Sequence, residues 1–105
     1  MSVISAPELY QELQGENKPT LLDVREAHEL AISSLDIDHH IPLGQLERRY
    51  TELNPEANIV VICRSGARSG SATHFLLKHG FSRVRNLVGG MNGWADTVDP
   101  TVTKY

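Results

Sequence analysis

The sequence predicts an α/β fold, with a mostly parallel sheet and helices on both of its faces. Three observations carry this. Short apolar runs alternate with segments of helical spacing along the chain, the pattern of strands joined by helical crossovers. The run Ile59-Val60-Val61-Ile62 is apolar at every position, as in a strand buried on both faces. It stops at Cys63, and Cys63-Arg64-Ser65-Gly66-Ala67-Arg68-Ser69-Gly70 then leads into a helical pattern. Sites in open parallel sheets lie at the carboxyl ends of strands, which is where this thiol falls.

The elements follow in order. Ser5 with Glu8 three residues on forms a capping box, after which Ala6, Leu9, Tyr10 and Leu13 share one helical face and Gly15 can end the helix. Lys18-Pro19 is a turn, and Thr20-Leu21-Leu22-Asp23-Val24 is a short buried strand. Glu26 to Ile32 reads as a short helix, Ser33 to Asp38 has no assignable pattern, and His39-His40-Ile41 is a short strand closed by Pro42. Leu43, Leu46, Tyr50 and Leu53 predict a helix that Asn54-Pro55 ends. After the Ile59–Ile62 strand, a helix is expected from about Arg68 to His79, with Ala72, Phe75 and Leu76 inward. Gly80 suits the left-handed position past its end, and Phe81 can pack back on Leu76. Val84-Arg85-Asn86-Leu87 is the last strand, and Gly89-Gly90 opens a final helix whose Trp94 is core.

With 105 residues, 40% apolar and 22% charged, the chain reads as one soluble globular domain, residues 1–105. A net charge of -3 gives no reason to expect nucleic acid or an anionic membrane as partner. No apolar run approaches the roughly 18 residues that span a bilayer. One cysteine permits no internal disulfide, and no basic region followed by a long apolar stretch opens the chain. A reducing, cytoplasmic location is the expectation.

The loop carries the chemistry. An ordinary thiol is only a few per cent ionised at pH 7, and lowering its pKa by ~2 units takes about 2.7 kcal/mol of anion stabilisation. Loop N–H groups, a helix N-terminus and the side chains of Arg64 and Arg68 can supply that. Gly66 and Gly70 let the backbone turn its amides inward. A phosphate cradle places Arg six positions after Cys; Arg68 is five after Cys63 and the sixth residue is Ser69. The loop is one residue short for phosphate and suits a smaller charged group, such as one extra sulfur on the cysteine. Asp23 and Arg25 are expected to support the loop from the neighbouring strand; a brace of the loop by Arg68 through Asp23 is the alternative to a role for Arg68 in attracting an anion. The five histidines lack ligand spacing, so neither a metal nor any other cofactor is expected.

This pattern resembles the rhodanese (sulfurtransferase) family over nearly the whole chain. Leu22-Asp23-Val24-Arg25-Glu26, Ile41-Pro42-Leu43, the Cys63–Ser69 loop, Gly80-Phe81 and Leu87-Val88-Gly89-Gly90-Met91-Asn92-Gly93-Trp94 follow in the family's order. The stretch from Trp94 through Asp99-Pro100 to Tyr105 is similar to rhodanese domains that end adenylyltransferase-sulfurtransferases; no adenylating domain precedes it here, so a free-standing protein is expected. Ser33-Ser34-Leu35-Asp36-Ile37-Asp38 departs from the Gly-His-Ile-Pro-Gly-Ala-like stretch of many members. The resemblance implies a rhodanese-like five-stranded fold and a ping-pong mechanism. The Cys63 thiolate takes the outer sulfur of a donor such as thiosulfate, the amides of Arg64, Ser65, Gly66, Ala67, Arg68 and Ser69 hold the persulfide, and Arg64 and Arg68 attract the anionic donor. Cyanide, a thiol or a sulfur-carrier protein then removes the sulfur. Thiosulfate is the default donor because the loop is cationic; a cysteine desulfurase or another persulfide also fits, and the acceptor and pathway stay open. Two other readings compete: a non-catalytic rhodanese-like binding or regulatory module, and a phosphatase or arsenate reductase of the related fold.

Overall fold

The computed structural model describes residues 2–105. Five parallel strands run β1 (Val3–Ile4), β2 (Thr20–Asp23), β3 (His39–His40), β4 (Ile59–Ile62) and β5 (Val84–Leu87), in the spatial order β1-β5-β4-β2-β3. The helices are α1 (Ala6–Gln14), α2 (Ala27–Leu30), α3 (Leu46–Arg49), α4 (Ala67–Lys78) and α5 (Gly90–Thr97). None is long and apolar enough to cross a membrane.

The central strand β4 divides the core. Ile59, Val61 and Cys63 pack on one face with Leu22, Val24, Leu46, Ala72 and Leu76, while Val60 and Ile62 pack on the other with Ile4, Leu9, Leu21, Met91 and Trp94. A period-2 strand covered on both sides must be apolar throughout, and Cys63 extends that alternation onto the α4 face.

The local signals act as read. Ser5 Oγ accepts from Glu8 N–H at 3.3 Å while Glu8 accepts from Ser5 N–H at 3.0 Å. Gly80 sits at φ +92°, and Phe81 N–H donates to the Leu76 carbonyl at 3.1 Å, the closing bond of a Schellman motif. Two elements differ from expectation. The segment Leu43–Leu53 is not one α-helix: tight 3₁₀ turns at Leu43–Gln45 and Tyr50–Glu52 flank α3. Apolar steps of three residues suit a 3₁₀ turn as well as an α-turn, so spacing alone does not separate them. Strand β1 showed no periodicity because it has two residues; the sheet holds it by bonds from Asn86 N–H to Ser2 O and from Val88 N–H to Ile4 O, both 2.9 Å. The unassigned Ser33–Asp38 stretch is irregular, and its end is pinned where Asp38 Oδ2 accepts from Leu21 N–H at 2.8 Å.

Candidate active site

Cys63 leaves β4, which lies between β5 and β2; the chain crosses from β4 to β5 on one side and from β2 to β3 on the other, and parallel sheets open a crevice where neighbouring crossovers diverge. Its Sγ accepts from the Gly66 amide at 3.0 Å and lies 3.2 Å from Ser69 Oγ. Gly66 can aim that amide because it sits at φ +107°, immediately before α4. Burial pushes the thiol pKa up. The Ser69 hydroxyl and the amides of Ser69, Gly66 and Ser65 together outweigh it, leaving Cys63 below its ordinary value. The residue is only 1% exposed, so a reactant has to enter the loop to reach the sulfur.

A second layer holds this cradle. Ser69 Oγ is 2.5 Å from Asn86 Oδ1, and Asn86 Nδ2 donates to the Gly66 carbonyl at 3.1 Å. Ser69 has one hydroxyl proton for two acceptors, the sulfur and the Asn86 oxygen. Beneath the loop, Met91 N–H and Asn92 N–H donate to the carbonyls of Cys63 and Arg64 at 2.9 and 3.0 Å. Gly89 and Gly90, both at positive φ, shape that turn. The first amides of α5 thus fasten the loop rather than face a ligand.

The arginines divide their roles. Arg68 grips Glu29 in a two-pronged ion pair, both contacts 2.7 Å. Glu26 N–H and Tyr105 O–H also donate to the Glu29 carboxylate, at 2.8 and 2.9 Å. Arg68, aided by those bonds, holds the Glu29 pKa down at about 2, against a burial effect that opposes it. Its stabilisation is complete above the ordinary value of 4.5 and is lost as pH falls towards about 2. The alternative brace through Asp23 is therefore corrected: Arg68 reaches Glu29, because Asp23 is already committed to Arg25. That pair is fully buried at 2.8 Å. The charge of Arg68 is spent on a carboxylate, whereas Arg64 is exposed and forms no ion pair among the described residues. Its guanidinium lies 5.1 Å from the centre of the Tyr105 ring.

Cys63, Arg64, Ser65, Gly66, Ala67, Arg68 and Ser69 thus form one loop and helix start. Asp23 and Arg25 lie at the end of β2 and meet the loop only through Tyr105 and Glu29. Sequence reasoning missed Asn86, Glu29 and Tyr105. β5 reads Val-Arg-Asn-Leu, half of it polar, so no apolar run singled out Asn86, and nothing local marked Tyr105. No group of three or more metal-ligating side chains occurs among the described residues.

Replacing Ser69 with alanine removes one of the bonds that favour the thiolate. The midpoint of the pH–rate profile for Cys63 alkylation by iodoacetamide should move up. Asn86 Oδ1 is left without its proton donor, so stability should fall by about 1–2 kcal/mol in urea unfolding. An unmoved midpoint would mean that the backbone amides alone set the ionisation.

A strand–loop–helix cradle around one thiol, on an all-parallel sheet, defines a cysteine-loop α/β protein. The rhodanese-like domain profile matches residues 5–97, and the chain belongs to the rhodanese-like family. It is 34% identical over 92 residues to a protein named sulfurtransferase from Allochromatium vinosum, covering 88% of this chain and 86% of that one. It is 35% identical over 120 residues to the adenylyltransferase and sulfurtransferase MOCS3 of Arabidopsis thaliana, covering 99% of this chain and 26% of that one. YrkF of Bacillus subtilis is 40% identical over 91 residues, covering 87% of this chain and 49% of its own length. The chain therefore spans half or less of these last two. A crystal structure of a rhodanese-related protein from Thermoplasma volcanium superposes with a TM-score of 0.84 at 31% identity, over 93% of this chain and 94% of that one.

Proposed function

We propose that the protein transfers sulfane sulfur through a Cys63 persulfide, with thiosulfate as an accepted donor. The observation that carries this reading is the Cys63 sulfur facing the Gly66 amide and the Ser69 hydroxyl at the start of α4, in a loop one residue too short for a phosphate cradle. The thiolate attacks the outer sulfur of thiosulfate; the S–S bond breaks and its electron pair leaves with sulfite. The enzyme-bound product is Cys–S–S⁻, with the negative charge moved outward to the terminal sulfur, among the loop amides. Cyanide or a thiolate then attacks that sulfur and returns the Cys63 thiolate. Exposed Arg64 is the cation available to a dianionic donor, while Arg68 shapes the loop through Glu29. The buried sulfur favours narrow reactants: a small anion, or the extended tail of a sulfur-carrier protein.

Intact mass of the protein without reductant, before and after thiosulfate, tests the reading. One added sulfur, removed by cyanide and absent from Cys63→Ala, is expected. A folded protein with a free thiol that takes no sulfur from thiosulfate or from a cysteine desulfurase would overturn it in favour of a binding module. Hydrolysis of a phenyl phosphate ester would favour the phosphatase reading.

A further inference from the structure

We propose that Tyr105 is a positioning residue for the loop cation: its ring holds the Arg64 guanidinium at the mouth above Cys63, and its hydroxyl fixes the ring by bridging Arg25 and Glu29. The proposal deepens the sulfur-transfer reading, because a cation held at the mouth favours an anionic donor.

Tyr105 comes from the far end of the described chain, outside the 5–97 span of the family match. The segment before it runs back along α5. Val98 and Val102 pack on the core face shared by Met91 and Trp94, and Lys104 Nζ pairs with Asp96 at 2.8 Å. Tyr105 N–H then donates to Asn92 Oδ1 at 3.3 Å, beside the amide that holds the Arg64 carbonyl. The phenol oxygen is pinned from two sides. Arg25 Nη1 donates to it at 2.8 Å, and it donates to Glu29 Oε1 at 2.9 Å. Each partner is itself fixed, Arg25 by Asp23 and Glu29 by Arg68. An aromatic ring held this firmly presents a constant face, and Arg64, with no carboxylate partner among the described residues, lies over it at 5.1 Å. A guanidinium within about 6 Å of a ring centre is attracted to its negative face. The ring thereby limits the rotamers of a long side chain that is otherwise free in water.

The test compares two alkylating agents of Cys63: iodoacetate, an anion, and iodoacetamide, its neutral counterpart. In both, the thiolate displaces iodide, so the ratio of the two rates reads the cation at the mouth. The reading does not depend on whether the protein transfers sulfur, because reductant first returns Cys63 to the free thiol. Tyr105→Leu should lower the iodoacetate-to-iodoacetamide ratio about two- to fivefold. Tyr105→Phe keeps the ring but loses both hydroxyl anchors, so its ratio should fall between those of wild type and Tyr105→Leu. In an Arg64→Ala background, Tyr105→Leu should change the ratio no further. Tyr105→Met, longer and unbranched, reads the same contact if the leucine variant loses its fold. An unchanged ratio in a folded Leu or Met variant overturns the proposal. So does a Tyr105→Phe ratio equal to that of wild type, which would mean the hydroxyl bonds do not fix the ring, or an additive effect in the Arg64→Ala background. Sulfur uptake from thiosulfate is followed by mass in parallel. Wild-type protein that takes no sulfur but shows the expected ratios would reject the transfer reading and leave the role of Tyr105 standing.

Discussion

Gly90→Ala should destabilise the protein by about 3 kcal/mol or more and raise the Cys63 pKa, whereas Gly80→Ala should cost only about 1 kcal/mol. Both glycines have positive φ, +55° and +92°, so both replacements carry left-handed strain. The difference is space. At Gly80 a Cβ would meet nothing within 4 Å. At Gly90 it would run into the Cys63 carbonyl oxygen and lie 2.6 Å from the carbonyl of Arg64. Both obstacles are backbone, so no rotamer change relieves them, and the loop or the α5 turn must move. Either movement breaks the bonds from Met91 and Asn92 to those carbonyls, each worth about 1 kcal/mol. It also displaces the loop that aims the Gly66 amide at the sulfur. Urea unfolding gives the stability, and the pH dependence of alkylation gives the ionisation. Equal costs at the two glycines would mean that left-handed strain, and not the docking of the loop, is what Gly90 relieves.

That contact shows where sequence reading stops. Gly89-Gly90 was legible as a backbone requirement, since paired glycines before a helical pattern mark a turn. Its target, the carbonyls of Cys63 and Arg64 about 26 residues earlier, was not, because a docked turn leaves no periodic trace. The same division runs through the fold. Strand β4 and the ends of α1 and α4 were readable, because an all-apolar run, a capping box and a Schellman glycine are local rules. Strand β1 and the broken helix around α3 were not: two residues carry no period, and three-residue steps do not distinguish helix types.

The site divides likewise. Cys63 and its loop followed from the order strand, Cys, Gly, helix. The partners of the two buried or half-buried cations did not, because a charged side chain names no partner in sequence. Asp23 lies forty-five positions from Arg68 and only two from Arg25, and the shorter connection took it. Glu29, on the four-residue helix α2, is then the carboxylate left facing the loop. Arg68 thus pairs with Glu29, and of the two loop arginines Arg64 is the one without a carboxylate partner among the described residues.

Asp23→Ala should cost about 3–5 kcal/mol, a large share of the roughly 5–15 kcal/mol that holds a domain of this size. The reason is the completeness of the arrangement it breaks. Arg25 is fully buried, and every N–H of its guanidinium has an acceptor. Nε and one Nη2 proton go to Asp23, the other Nη2 proton to Ser33 O, and the Nη1 protons to Glu29 O and Tyr105 Oη. Burial disfavours the charge, but the bonds to Asp23 and Tyr105 raise the Arg25 pKa above its ordinary value. A guanidinium is basic enough to stay charged even without that help, so when Asp23 is removed Arg25 becomes an uncompensated buried cation. Asp23→Asn keeps the shape and one acceptor but not the charge, so its cost should lie between wild type and Ala. Because Arg25 also fastens the Ser33 carbonyl and the Tyr105 hydroxyl, Asp23→Ala should loosen the irregular 33–38 stretch. It should also lower the iodoacetate-to-iodoacetamide ratio at Cys63, although Asp23 touches neither the loop nor the sulfur. Urea unfolding of the three proteins, with alkylation of the folded fraction, checks both consequences. Costs under about 1 kcal/mol for both variants would show that water or a rearranged neighbour replaces the carboxylate, and that the buried pair is not what holds the Arg25 fork in place.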